Sequence, residues 1–174
     1  MSHEEQRKFV SSVAVSTPRH FDGTSVLDIG SLDVNGNNID FFTNVDYIGI
    51  DLQAGPNVDV VCWAHTYDTD KRFDVVISTE CLEHDPHMEA TIDNMVRLLK
   101  SGGLMIITAA TTGRAVHGPG PLLNGKEFYK NVTIEDLYDC LKPDETFYDY
   151  HMESELSYIK GSRINDIRFW GVKI

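Results

Sequence analysis

A few groups of residues in this 174-residue chain have types and spacings suited to chemistry. Gly30-Ser31 closes the apolar run Val26-Leu27-Asp28-Ile29, and Asp51 closes a second run, Tyr47-Ile48-Gly49-Ile50. Asp51 lies 23 residues beyond Asp28. A carboxylate so placed accepts hydrogen bonds from both hydroxyls of a ribose, while glycine lets the backbone approach the ligand. The pair reads as a nucleoside site. Glu80, Glu83 and His84 follow a further apolar run, and His117 lies in a Gly/Pro-rich stretch. Imidazole is the side chain most easily tuned to take a proton near neutral pH, so His84 is the first candidate base and His117 the second. Cys62-x-x-His65 and Cys81-x-x-His84 also have the spacing of zinc-ligand pairs.

The turn after the first run discriminates between cofactors. A dinucleotide turn needs G-x-G-x-x-G, and here the second and third glycine positions hold Leu32 and Asn35, with Asp33 between them. A pyrophosphate would meet a side chain where it needs bare backbone, and a carboxylate where it needs positive potential. S-adenosylmethionine has no phosphate and carries a sulfonium cation, which suits an acidic, less open turn.

Positioning these residues takes an alternating fold. Ser2-His3-Glu4-Glu5 reads as a capping box opening a helix that Thr17-Pro18 stops. Strands are expected over 25–29, 47–50, 59–62, 73–78 and 104–108, with a weak helix through Ile39 and Phe42. Asp85 and Pro86 are placed to open the clearest helix, whose face carries Met88, Ile92, Met95, Val96 and Leu99 before Gly102-Gly103 stops it. A Gly/Pro-rich loop spans 112–131, and Thr133 with Asp136 caps another helix through Leu141. Strands over 155–160 and 166–173 close the chain. Strand and helix alternate and then a hairpin follows. The order predicts an α/β fold, a mostly parallel sheet covered by helices, in one domain spanning 1–174 with an N-terminal helix within 1–20. Ligands in such sheets sit beyond the C-terminal strand ends.

Val26-Leu27-Asp28-Ile29-Gly30-Ser31, Tyr47–Asp51, the segment Phe73–His84 with its Leu82-Glu83-His84 triplet, and Leu98–Leu104 together resemble the class I S-adenosylmethionine-dependent methyltransferases, in the broad small-molecule group with "LEH" after the fourth strand. The resemblance covers about residues 20–115. It implies a Rossmann-like three-layer sandwich with a seven-stranded sheet ordered 3-2-1-4-5-7-6, strand seven antiparallel. It also implies S-adenosyl-L-methionine as the methyl donor. Asp51 and Leu52 would hold the ribose, with Asp28 and the Gly30–Ser31 backbone by the methionine part. Backbone groups near Ala64 and His65 would hold adenine, and Thr79, Glu80 and Leu82 would line the sulfonium side, with His84 or His117 assisting the acceptor. Trp63 stands where the family often has an adenine-binding Asp. In that strand order the two Cys-x-x-His pairs end strands roughly 14 Å apart at about 4.8 Å per strand, so no zinc site is expected. A divalent cation bridging acidic residues and a catechol-like substrate stays open, though no residue set singles it out, and no metal ligand is assigned.

Fifteen Lys plus Arg against 27 Asp plus Glu give a net charge of −12. Such a surface repels nucleic acid and anionic lipid, leaving a small-molecule acceptor as the expected partner. No run reaches the roughly 20 apolar residues of a membrane span, the N-terminus lacks a signal-peptide shape, and three Cys make no disulfide scaffold. The expectation is a cytoplasmic enzyme that transfers a methyl group from S-adenosylmethionine to a small acceptor. The alternatives are a non-catalytic S-adenosylmethionine-binding module acting through a protein partner, and a nicotinamide-dependent reductase. The acceptor atom and the oligomeric state stay open.

Overall fold

The computed structural model describes residues 4–118, 120–159 and 162–174, with side chains outside 155–164. Seven strands form one sheet: β1 (Ser25–Ile29), β2 (Asp46–Asp51), β3 (Val60–Val61), β4 (Phe73–Thr79), β5 (Leu99–Ala110), β8 (Phe147–Ile159) and β9 (Ser162–Lys173). Their order is β3-β2-β1-β4-β5-β9-β8. The strands from β3 to β5 run parallel, and β9 is antiparallel to both β5 and β8. This is the topology that the family resemblance implies, with β8 and β9 as its sixth and seventh strands. Two further strands, β6 (Leu122–Leu123) and β7 (Lys126–Glu127), pair only with each other inside the 112–131 loop.

Alternation along the strands sorts the core into two layers. Val26, Val75, Ile77, Leu104 and Ile106 point to one face, where Phe9, Val10 and Val13 of α1 (Glu4–Ser16) cover them. Leu27, Ile29, Val76, Met105 and Ile107 point to the other. There Ile92, Met95 and Leu98 of α2 (Met88–Leu98) join Leu137 and Leu141 of α3 (Ile134–Leu141). Strands buried on both faces explain the nearly continuous apolar runs.

Several boundaries differ from the sequence reading. The expected capping box falls on Ser2 and His3, which lie outside the described residues. The weak helix after β1 is one 3₁₀ turn, Ile39–Phe41. Helix α2 starts at Met88, because the Asp85 carboxylate takes the His87 amide (2.7 Å) and the Thr91 hydroxyl and holds Pro86 and His87 outside the helix. It ends at Leu98, since Leu99 already pairs with Phe73 and opens β5, so Gly102-Gly103 lies within a strand. Strand β8 begins at Phe147, directly after a short helix, α4 (Pro143–Thr146), that Pro143 starts. The capping box of α3 is as expected: Thr133 and Asp136 exchange side-chain-to-backbone bonds.

Candidate functional site

A mostly apolar cleft of about 390 Å³ opens at the C-terminal ends of β1, β2 and β4. Its floor is the β1 turn. Gly30 takes φ +79°, and a Cβ there would stand 2.7 Å from the Cβ of Cys81, so only glycine fits. Ser31 turns away, its amide bonding the Ile50 carbonyl (3.1 Å) and its hydroxyl the Asn57 carbonyl (2.8 Å). Asp51 sits at the rim, its carboxylate accepting the Gln53 amide at 2.9 Å and the Leu32 amide at 3.3 Å. Two backbone donors thus fix its aim before any ligand arrives. Leu52, Trp63 and Ala64 line the same side. His65 does not line it, because its ring packs on His87 with centroids 4.2 Å apart.

Asp28 lies beneath the turn, 1% exposed. The Asn38 amide reaches both of its oxygens at 3.1 Å, and the Tyr47 hydroxyl donates to it as well. Burial outweighs these donors and lifts its pKa to about 6. Thr79 accepts from the same Asn38 amide at 3.0 Å, and both residues line a small cavity beside Gly30. Leu82 belongs to the core on the α2 face and does not line the cleft.

The opposite side is built from ionisable side chains. Glu80 ends β4 in a left-handed conformation, φ +53°, which turns its carboxylate under the 112–131 loop. Arg114 from that loop pairs with Glu80 at 3.0 Å and also with Asp166 of β9. Burial, then Glu83 and Asp166, push the Glu80 carboxyl well above its ordinary pKa, with Arg114 pulling the other way. Glu83 is 0% exposed, and the Lys130 amide ties the loop to its carbonyl at 2.8 Å. Its Oε1 stands 3.6 Å from Nε2 of His117 and 4.0 Å from Nε2 of His84. His84, His117 and Tyr129 form a triangle of edge-on rings with centroids 5.2–5.5 Å apart. Burial lowers the His84 pKa and raises that of Tyr129 to about 12. One ligand atom each from Glu83, His84 and His117 could meet at a single ion, whereas the two Cys-x-x-His pairs form no such group among the described residues.

Both histidines singled out in the sequence therefore reach one place. Asp166 escaped the sequence reading, and its partnership with Arg114 needs β9 to lie beside β5. A signal was present: Asn165, Asp166 and Arg168 are polar residues interleaved with Ile167 and Phe169, and all three are buried. Cys81 was read only as a zinc-ligand candidate, yet it lines the cleft above Gly30.

The sequence matches the family described as "Methyltransferase domain" over residues 1–156. No curated protein sequence matches it. Among solved structures, 1,6-didemethyltoxoflavin-N1-methyltransferase of Burkholderia thailandensis, with 1,6-didemethyltoxoflavin and S-adenosylhomocysteine bound, is similar at TM-score 0.68 and 18% identity, over 97% of this chain and 77% of that one. N-methyltransferase NodS of Bradyrhizobium japonicum WM9, with S-adenosylhomocysteine, gives TM-score 0.65 and 14% identity over 96% and 87%. Phosphoethanolamine N-methyltransferase 2 of Haemonchus contortus, with S-adenosyl-L-methionine, gives 0.62 and 19% over 93% of this chain and 52% of that one, so this chain spans about half its length. At such identities the likeness is one of fold.

Proposed function

Because the chain belongs to the methyltransferase domain family, we propose that it transfers a methyl group from S-adenosyl-L-methionine to a small-molecule acceptor. The observation that carries the reading is the two-sided cleft: a ribose-type carboxylate held by backbone amides faces buried acids and imidazoles across apolar walls. Asp51 takes the ribose hydroxyls, Leu52, Trp63 and Ala64 pack on the adenine, and the Gly30 turn approaches the methionine part with Asp28 and Thr79 below it. The sulfonium methyl then points toward Glu80, His84 and His117. Transfer is an in-line displacement: an acceptor lone pair attacks the methyl carbon and the C–S pair returns to sulfur. Alignment does most of the work, and the imidazole of His84 or His117 accepts a proton where the acceptor must lose one.

A nicotinamide dinucleotide fits this cleft poorly. Leu32 lines it, and hydrogen bonds from the Asn37 side chain and the Gly36 amide hold the Asp33 carboxyl below its ordinary pKa, so that charge persists beside the turn. The 112–131 loop is the acceptor cover, pinned by Arg114 at one end and by the Lys130 amide at the other. The acidic surface and free thiols Cys62, Cys81 and Cys140 fit action in the cytoplasm on a small molecule rather than on nucleic acid. Calorimetry with S-adenosylhomocysteine and NADH tests the reading. Binding of the first alone, with methyl transfer from labelled donor into a small-molecule pool, is expected. Binding of NADH alone would overturn it, and tight binding without transfer to any acceptor would favour the non-catalytic module.

A further inference from the structure

Methyl transfer by alignment leaves Glu83, buried behind the cleft wall, without a task. The Glu83 carboxylate is 0% exposed and neither of its oxygens receives a hydrogen bond. Nε2 of His117 is likewise buried and has no hydrogen-bond partner. A buried carboxylate without donors is costly unless a cation compensates it. The nearest groups are the two imidazole nitrogens that share its Oε1, at 3.6 Å and 4.0 Å, and the three ligand atoms lie within 4.8 Å of one another. Ligands about 2.1 Å from a common ion stand roughly 3.0–3.4 Å apart, so the 3.6 Å contact must close by a few tenths of an ångström and the wider ones by about 0.6 Å to over 1 Å, which rotation of the two imidazoles would supply.

The support behind His117 points the same way. Its Nδ1 lies 3.1 Å from the Ala115 carbonyl, which can only accept, and 3.2 Å from the Tyr129 hydroxyl; a ring proton on Nδ1 bonds the carbonyl and leaves the Nε2 lone pair toward Glu83. Metal-bound histidines are oriented by this kind of bond from the far ring nitrogen to a carbonyl. Gly118 brings bare backbone against His84: a Cβ there would be 3.8 Å from its ring. Arg114 is engaged by Glu80 and Asp166.

We propose that Glu83, His84 and His117 form a binding site for a divalent transition-metal ion whose open positions face the cleft and take a hydroxyl oxygen of the acceptor. Two imidazoles with one carboxylate favour zinc, manganese, iron or cobalt over magnesium or calcium. This replaces the sequence expectation of no zinc site, which rested on the cysteine pairs. The acceptor part rests on the methyl-transfer reading, whereas metal binding does not. With both imidazoles bound to the metal and so no longer bases, the metal-bound hydroxyl releases its proton to water, and its oxygen attacks the methyl carbon. The C–S electrons then pass to sulfur, giving a methyl ether and neutral S-adenosylhomocysteine.

The test is calorimetric titration of chelator-treated protein with Zn²⁺ and, in parallel, with S-adenosylhomocysteine. Wild type is expected to bind one Zn²⁺ per chain, and Glu83→Gln and His117→Ala each to weaken that binding at least tenfold while keeping S-adenosylhomocysteine affinity. His117 lies on the loop, so its variant keeps the test decisive if Glu83→Gln does not fold. Absence of stoichiometric Zn²⁺ binding, or unchanged binding in either folded variant, overturns the site. Zn²⁺ binding without S-adenosylhomocysteine binding leaves the site standing and overturns the methyl-transfer reading. Catechol added to the Co²⁺-loaded wild type should shift its visible absorption band, and an unmoved band overturns the acceptor part.

Discussion

The two sides of the cleft are built on different principles. The cofactor side is mostly backbone: a glycine turn, two amides aiming Asp51, and apolar walls from Leu52, Trp63 and Ala64. The side proposed for the acceptor is mostly charge taken out of water, with Glu80, Glu83, His84, Arg114, His117 and Asp166 drawn from the turn after β4, the 112–131 loop and β9. Backbone donors are stable wherever the strand ends are stable. Buried charges hold only while each keeps its partners. The first side should therefore tolerate substitution through loss of affinity, and the second should answer with loss of stability.

The strongest break of that contrast is Arg114→Met. It strands Glu80 and Asp166, and removing one partner of buried ion pairs costs about 3–5 kcal/mol. Chemical denaturation should show that loss, while S-adenosylhomocysteine affinity, measured where the variant is folded, stays within about threefold. A fall in affinity matching the fall in stability would mean that the two sides are one unit.

Asp28 is the buried acid on the cofactor side, and pH exposes it. Its folded pKa of about 6 exceeds the ordinary 3.8, so the folded protein binds that proton more tightly than the unfolded chain. Stability from this group is therefore full below about pH 4 and is lost as pH rises through 6, by about 3 kcal/mol. Relative to Asp28→Asn, the wild type should gain that amount on acidification over this window. Parallel pH profiles would place the ionised carboxylate in a better-solvated site than its 1% exposure allows.

Gly30→Ala tests the floor shared by both sides. The φ of +79° and the 2.7 Å approach to Cys81 predict a loss of roughly 1–3 kcal/mol. Adding Cys81→Ala should recover part of it, because the clash with Sγ goes while the clash with Cβ and the backbone strain stay. Full recovery or none would show that a single cause acts. Asp51→Ala has the smallest expected effect on stability, and its readout is binding: S-adenosylhomocysteine affinity should fall at least tenfold with an unchanged melting temperature. Unchanged affinity would remove Asp51 from the ribose.

The same division decided what could be read from the chain. The alternation of strands and helices, and the turn at Gly30 with Asp51 at the next strand end, were legible because each rests on a local pattern, whereas the sheet order came only through the resemblance to the methyltransferase family. The pairing of Arg114 with Asp166 was not, since 52 residues separate them. The meeting of His117 with Glu83 was not, because a Gly/Pro-rich loop carries no periodicity to aim a side chain. Helix boundaries failed for a related reason. Leu99 continues the apolar face of α2, yet it belongs to β5, where pairing with Phe73 overrides helical spacing. Leu82 was assigned by position in a motif, and packing in the α2-side core took it elsewhere.

Strand β9 lies between β5 and β8 although it follows both in the chain. During synthesis the outer edge of β5 stays bare until residues 162–173 emerge, and Asp166 can meet Arg114 only when they do. The elements that form the nucleoside side are complete by about residue 85, half a chain earlier. Pairing of this non-local kind is slow, because loop closure must precede any contact. A nascent chain thus carries a donor-shaped half-site well before it has an acceptor-shaped one, and the closing of the sheet times the appearance of the second.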